Sequence, residues 1–144
     1  MQVILLAAIS VDGKIAQQQD QVSLDWTSKE DTQFFVQKTK EIGLVIMGRK
    51  TFETIGKPLK DRRMIVMTQE VDATKQIPGV LEFTDESPKA LLDRLEQEGH
   101  DRVVVAGGFS IYSQFLREGL VTDLYLTVEP VLFGIGIPLA SGFY

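Results

Sequence analysis

The strongest constraint on this chain is a device that occurs twice: an apolar run of strand length stops at glycine and gives way to helical spacing. Val45-Ile46-Met47 ends at Gly48 and is followed by Arg49-Lys50-Thr51-Phe52-Glu53-Thr54-Ile55-Gly56. Val103-Val104-Val105-Ala106 ends at Gly107-Gly108, after which Phe109 to Arg117 reads as a helix closing at Gly119. Val3 to Ile9 and Met64-Ile65-Val66-Met67-Thr68 are apolar runs of the same kind. Such runs fit strands covered on both faces, as in a sheet flanked by helices. A glycine at the strand end lets the backbone turn and lets a ligand approach with no Cβ in the way. The helix beyond it opens with free N–H groups and a positive dipole end, which suits phosphate. Arg49 and Lys50 add charge and Thr51 a hydroxyl donor. A basic, solvated turn would leave the same local pattern, and the second occurrence favours a ligand, because two such helix starts can grip one pyrophosphate from two sides. The spacing is not G-x-G-x-x-G, so the usual dinucleotide fold is not supported.

The rest of the chain reads as alternating strands and helices. Thr27-Ser28-Lys29-Glu30 has the form of a capping box with Thr27 as N-cap, predicting a helix to about Glu41. Asp31 lies one turn before Phe35 and shares its face with aromatic residues. A first-turn carboxylate commonly does no more than favour the helix dipole. If that face closes over a pocket, desolvation raises the pKa of Asp31 and makes it a proton-handling group. Ser10 to Lys14 reads as a turn and Gln17 to Ser23 as a polar, mobile stretch. Gly56 to Arg63 is a cationic loop in which Arg62 is a candidate for capturing a carboxylate or phosphate, a solvated arginine being the commoner outcome. Leu81-Glu82-Phe83 is a short strand, and Pro88 to Glu98 an amphipathic helix with Leu91, Leu92 and Leu95 inward. Asp123 to Val131 alternates as a strand, with Tyr125, Thr127 and Glu129 on one face. This order predicts an α/β fold with a mostly parallel sheet, in which ligands collect at the carboxyl ends of strands. Those ends are Ala7-Ala8, Met47-Gly48, Thr68 and Ala106-Gly107-Gly108.

Composition narrows the chemistry. At 144 residues the expectation is one domain spanning residues 1–144. Cysteine is absent, which excludes disulfides, a thiolate nucleophile and cysteine-based metal sites. The lone histidine, His100, sits in Glu98-Gly99-His100-Asp101, which reads as a solvated loop and argues against a Ser–His–Asp triad or a zinc centre. No metal is expected. A net charge of −5 without a basic block argues against nucleic acid. The longest apolar run, Val3 to Ile9, is too short to span a membrane and lacks a basic leader. A cytoplasmic monomer or homodimer is the expectation.

These residues carry a resemblance to the dihydrofolate reductase superfamily over nearly the whole chain. It rests on the first strand into Val11-Asp12, Trp26 ahead of Glu30-Asp31, Phe34-Phe35 and the run Met47 to Gly56. Pro58-Leu59 with Arg62, Gly107-Gly108, Ile111-Tyr112, Gln114-Phe115 and Leu124-Tyr125-Leu126-Thr127 complete it. The resemblance implies a three-layer fold, with the C-terminal hairpin of that family shortened or missing because the chain stops at Tyr144. It implies that Asp31 is the buried acid holding the pterin's amino and N3 groups, with Thr127 and an ordered water beside it and Trp26 positioning that water. Leu6, Ala7, Phe35, Ile55 and Leu59 would line the pterin and benzoyl pocket, and Arg62 would pair with the glutamate carboxylate. Ala8, Ile15, Gly48, Arg49, Lys50, Thr51, Thr68, Gln69, Ala106, Gly107, Gly108, Phe109, Ser110, Ile111 and Tyr112 would hold NADPH, Arg49 at its 2′-phosphate. The implied reaction is hydride transfer from NADPH to C6 of 7,8-dihydrofolate with protonation at N5, a step of one-carbon metabolism that antifolates block.

Some segments depart from that pattern. The loop from Ala16 to Trp26 looks longer than the compact version, Asp25 stands where proline is usual, Thr32 replaces a large apolar residue and Phe109 stands where a third glycine is common. Ser10 to Ala16 and Glu129 to Leu139 look more like the sister family, the pyrimidine reductase of riboflavin synthesis. That relative would use Arg62 for a substrate phosphate, although Lys57 precedes Pro58 where the sister family resembles Asp-Pro. A non-catalytic nucleotide-binding module is the third reading.

Overall fold

In the computed structural model, residues 1–18 and 21–142 are described; Gln19 and Asp20, within the stretch read as mobile, and the C-terminal Phe143 and Tyr144 lie outside the described residues. The chain runs β1 (Gln2–Ile9), β2 (Lys14–Ala16), α1 (Lys29–Ile42), β3 (Leu44–Gly48), α2 (Arg49–Ile55), β4 (Arg63–Met67), β5 (Leu81–Thr84), α3 (Pro88–Gln97), β6 (Arg102–Val105), α4 (Phe109–Arg117), β7 (Asp123–Val128) and β8 (Ile137–Pro138). The apolar runs form a six-stranded sheet in the order β5-β4-β3-β6-β1-β7, and every neighbouring pair is parallel. Parallel pairing requires crossovers, which the helices provide except between β4 and β5, where the connection holds only a three-residue 3-10 turn at Ala73–Lys75. On β3 and β4 successive side chains alternate between two buried layers, whereas the edge strand β7 turns Leu124, Leu126 and Val128 to solvent. Val3, Leu5, Ile46, Val103 and Val105 meet Leu91 and Leu95 of α3 and Ile111 and Phe115 of α4 on one face. Val45, Met47, Met64 and Val66 meet Phe52, Ile55 and Leu59 on the other. The α/β fold with a parallel sheet flanked by helices is therefore as the sequence predicted.

The helix carrying Asp31 starts one residue later than its capping box implied. Ser28, in extended conformation, is the N-cap, and its hydroxyl oxygen accepts from the Asp31 N–H at 3.1 Å. Thr27 and Ser28 are both good caps, and the choice is made by a contact distant in sequence that the site below supplies. The strand read as Asp123 to Val131 stops at Val128, two residues before Pro130, which has no N–H to extend a ladder.

A second, two-stranded sheet pairs β2 with β8, antiparallel. It is closed by a clasp at Asp12, whose carboxylate accepts from the Ser10 hydroxyl at 2.6 Å and from the N–H groups of Phe133 at 3.2 Å and Gly134 at 2.8 Å. The two segments that look like the sister family thus form one unit. No helix among the described residues is long and apolar enough to cross a membrane.

Candidate active site

Placing β6 between β1 and β3 brings three strand ends together at the carboxyl edge of the sheet. They open onto a cavity of about 970 Å³ lined by Leu6, Ala7 and Ala8 of β1, Met47 and Gly48 of β3, and Ala106, Gly107 and Gly108 after β6. The glycine ends are stitched to each other: the Gly48 N–H donates to the Gly107 carbonyl at 2.8 Å. A Cβ on Gly48 would lie 3.0 Å from Ile111 Cγ1. One on Gly107, whose φ is +125°, would lie 3.3 Å from the Tyr112 hydroxyl and 3.5 Å from Thr51 Oγ1. The Gly107–Gly108 peptide is cis. Neither α2 nor α4 has a side-chain hydrogen bond at its N-cap, so first-turn N–H groups are left for another acceptor. Tyr112 locks α4 to β1 by donating its hydroxyl to the Leu6 carbonyl at 2.7 Å, and burial pushes the pKa of that phenol up.

Polar residues share the cavity wall: Arg49, Lys50 and Thr51 line it with Thr68, Gln69 and the α4 residues Phe109, Ser110, Ile111 and Tyr112. Arg49 Nη1 lies 3.4 Å from Glu53 and 3.8 Å from Glu70. The same wall also carries the apolar Ile15, Phe35, Ile55 and Leu59, together with Asp31. Burial raises the pKa of Asp31 above the ordinary carboxylate value; the Thr127 hydroxyl partly offsets this and the charge on Glu129 reinforces it.

Three residues of the sequence reading do not line the cavity: Trp26, Arg62 and Thr127. Thr127 is on β7, near enough to Asp31 to influence its proton affinity. The Trp26 ring meets Phe133 edge-on at 5.0 Å, and its Nε1–H is buried with no partner among the described residues. Arg62 is not a solvated loop arginine. It is buried, donating from Nε to the Lys60 carbonyl at 2.8 Å and from Nη1 to Thr39 Oγ1 at 3.0 Å.

The sequence reading missed Glu70, Asp85, Glu86 and Ile137 on the cavity wall. Applying the strand-end rule to β5, as to the other strands, would have found Asp85 and Glu86. It also missed the tether of Ser28, whose N–H and hydroxyl both donate to Glu129 Oε1, at 3.1 and 2.7 Å. That tether selects Ser28 over Thr27 as the cap. Among the described residues, no three His, Cys, Asp or Glu side chains converge to hold a metal ion.

The family model named dihydrofolate reductase matches residues 2–129. The chain belongs to the dihydrofolate reductase family. It is 30% identical to the uncharacterized protein YwjB of Bacillus subtilis, over 94% of this chain and 80% of that protein. It is 33% identical to the dihydrofolate reductase of Staphylococcus aureus, over 73% of this chain and 58% of that enzyme. Against the bifunctional dihydrofolate reductase-thymidylate synthase of Paramecium tetraurelia the identity is 32%, over 85% of this chain and 25% of that protein. Among solved structures, a Shewanella sp. PV-4 protein assigned to riboflavin biosynthesis superposes with a TM-score of 0.82 at 20% identity, covering 99% of this chain and 85% of that one. The last comparison bears on the fold alone. By family this chain is an oxidoreductase of the dihydrofolate reductase superfamily.

Proposed function

We propose that residues 1–144 form one reductase domain that uses NADPH to reduce 7,8-dihydrofolate to 5,6,7,8-tetrahydrofolate. The observation that carries this reading is the placement of Asp31: a half-buried carboxyl with raised proton affinity on the wall of the cavity that also contains both glycine strand ends. Glycine keeps the two strand ends close under the cavity, since a Cβ on Gly48 would press on Ile111 and one on Gly107 on the Tyr112 hydroxyl. Gly48, Thr51, Gly107 and Gly108 would hold the pyrophosphate, with Arg49, Thr68 and Gln69 at the 2′-phosphate. When bound, the cofactor supplies the two-electron reducing equivalent.

The chain's own residues bind, orient and tune. Asp31 accepts from the pterin's amino and N3 groups and fixes which face of the ring meets the reductant. Its negative charge, when ionised, favours a proton at N5, which makes C6 a better acceptor; Thr127 steadies the same carboxylate. The buried Trp26 Nε1–H, without a partner among the described residues, has a donor to spare for a water. Acid–base assistance of this kind contributes typically ~10²–10⁴-fold, and positioning supplies most of the rest. Arg62, buried off the cavity wall with Nε on the Lys60 carbonyl and Nη1 on Thr39, would reach a substrate carboxylate only with the part of its guanidinium that these bonds leave over.

A second reading, reduction of a ribosylaminopyrimidine phosphate, draws on the clasp at Asp12, which unites the two segments that look like the riboflavin-pathway reductase. The test is to mix purified protein with NADPH and dihydrofolate and follow the loss of reduced-nicotinamide absorbance. Turnover above the no-substrate control supports the folate reading. Cofactor binding without turnover sinks it, and the same assay with the pyrimidine phosphate then decides between the second reading and a non-catalytic binder.

A further inference from the structure

One serine joins the carboxylate of Glu129 to the backbone N–H of Asp31, and of these two residues only Asp31 lines the cavity. Glu129 follows β7 directly, is 6% exposed and is not on the cavity wall. Its backbone is pinned, with its N–H donating to the Ile9 carbonyl at 2.8 Å and its carbonyl accepting from the Val131 N–H at 2.8 Å. Its side chain takes both donors of Ser28 on Oε1. With its hydroxyl proton given to Glu129, Ser28 Oγ turns lone pairs toward the Asp31 N–H at 3.1 Å. A rigid strand end therefore holds the first turn of the helix that carries the acid.

Building on the folate reading above, we infer that Glu129 is a positioning residue for Asp31: through Ser28 it fixes the start of α1, and it keeps a like charge beside the acid. A neighbouring negative charge favours the protonated carboxyl, in line with the direction in which Glu129 moves Asp31. The other groups about Asp31 do not supply such a charge. Thr127 on β7 and Tyr112 on α4 are neutral hydroxyls, and Lys29 and Glu30 beside it on α1 are exposed. An ordinary cap needs only Ser28; a buried carboxylate behind it adds charge to geometry.

The test is to titrate the Asp31 carboxyl carbon by NMR in the free protein, together with exchange of its amide. Glu129→Gln keeps an oxygen acceptor for Ser28 and removes the charge. The Asp31 midpoint should move to lower pH while its amide stays protected, and in turnover the acid limb of kcat/KM should move the same way. Ser28→Ala keeps the charge and cuts the tether: the midpoint should stay raised while the amide exchanges about fivefold faster, the usual effect of losing a cap. An unmoved midpoint in Glu129→Gln, or unchanged exchange in Ser28→Ala, overturns the inference. Both readouts are made without substrate, so failure of the wild-type protein to turn over dihydrofolate would refute the folate reading and leave the Glu129 result standing.

Discussion

At the scale of single residues, Asp31 works against the fold that holds it. A carboxyl whose pKa is raised by burial binds its proton more tightly in the native than in the unfolded chain. Its contribution is fully present below the ordinary value of 3.8 and is lost as pH rises through the raised one, so at neutral pH the ionised group destabilises the protein. Asp31→Asn should therefore unfold at a higher temperature than wild type at pH ~7, a difference that fades in acid, while turnover falls by about 10²–10⁴-fold. A variant that lost stability at neutral pH would refute the burial argument. Arg49 offers a second case. It is shared between Glu53 and Glu70, and exposed pairs of this kind hold weakly, at about 0–1 kcal/mol. A carboxylate suits a ribose 2′-hydroxyl and an arginine a 2′-phosphate. Glu70→Gln should tighten NADPH by up to about fivefold and leave NADH nearly unchanged, read by nicotinamide fluorescence; an unchanged preference would remove Glu70 from cofactor choice. Asp31 could be singled out in the sequence because an acid stood one turn from Phe35 on an aromatic face. A first-turn carboxylate commonly only favours the dipole, however, and its role was an expectation from the family resemblance. Glu129 was legible only as a strand residue, since its partner Ser28 is 101 residues away and no local pattern announces a contact of that range.

At the scale of elements, long apolar runs announced themselves and short pairings did not. β1, β3, β4 and β6 lie within a residue of their expected bounds, because burial on both faces leaves a continuous apolar stretch. β2 and β8 span three and two residues, too few for any periodicity to register. Yet this ribbon helps wall the cavity, through Ile15, Ala16 and Ile137. Its tightest point is Gly136, where a Cβ would sit 2.5 Å from the Ala16 carbonyl oxygen, a backbone atom that cannot swing aside. Gly136→Ala should push β8 off β2 and raise KM several-fold more than it lowers kcat, with a stability loss of about 1–3 kcal/mol. Equal effects on both constants would mean that the ribbon does not shape the binding site. The clasp behind it has its own pH signature. The Ser10 hydroxyl foremost, then the Phe133 and Gly134 N–H groups, hold Asp12 down at about 2. That contribution is present above the ordinary value of 3.8 and is lost as pH falls toward about 2.

For the molecule as a whole, the parallel sheet followed from the kinds of element, but the strand order did not, because the sequence carries no record of which strand inserts between which. It is the insertion of β6 between β1 and β3 that sets Gly107 beside Gly48 and turns two separate glycine turns into one cradle. If both ends grip one cofactor, its binding free energy is shared by elements more than fifty residues apart (Gly48 and Gly107) and must appear in global stability. NADPH at 100 times its Kd should stabilise the native chain by about 2.7 kcal/mol, which for a domain of this size is a rise of about 8 °C in Tm. Gly48→Ala places a Cβ against Ile111 without demanding an unusual φ, and Thr51→Val removes the hydroxyl that faces Gly107 and Gly108. Thr51→Val should melt near the wild-type temperature without cofactor and Gly48→Ala somewhat below it, since Ile111 must give way, and each should lose most of the shift with cofactor. A shift that survives both would mean that the cofactor does not lie across the joined strand ends, and the cradle would then be only a close contact between two turns.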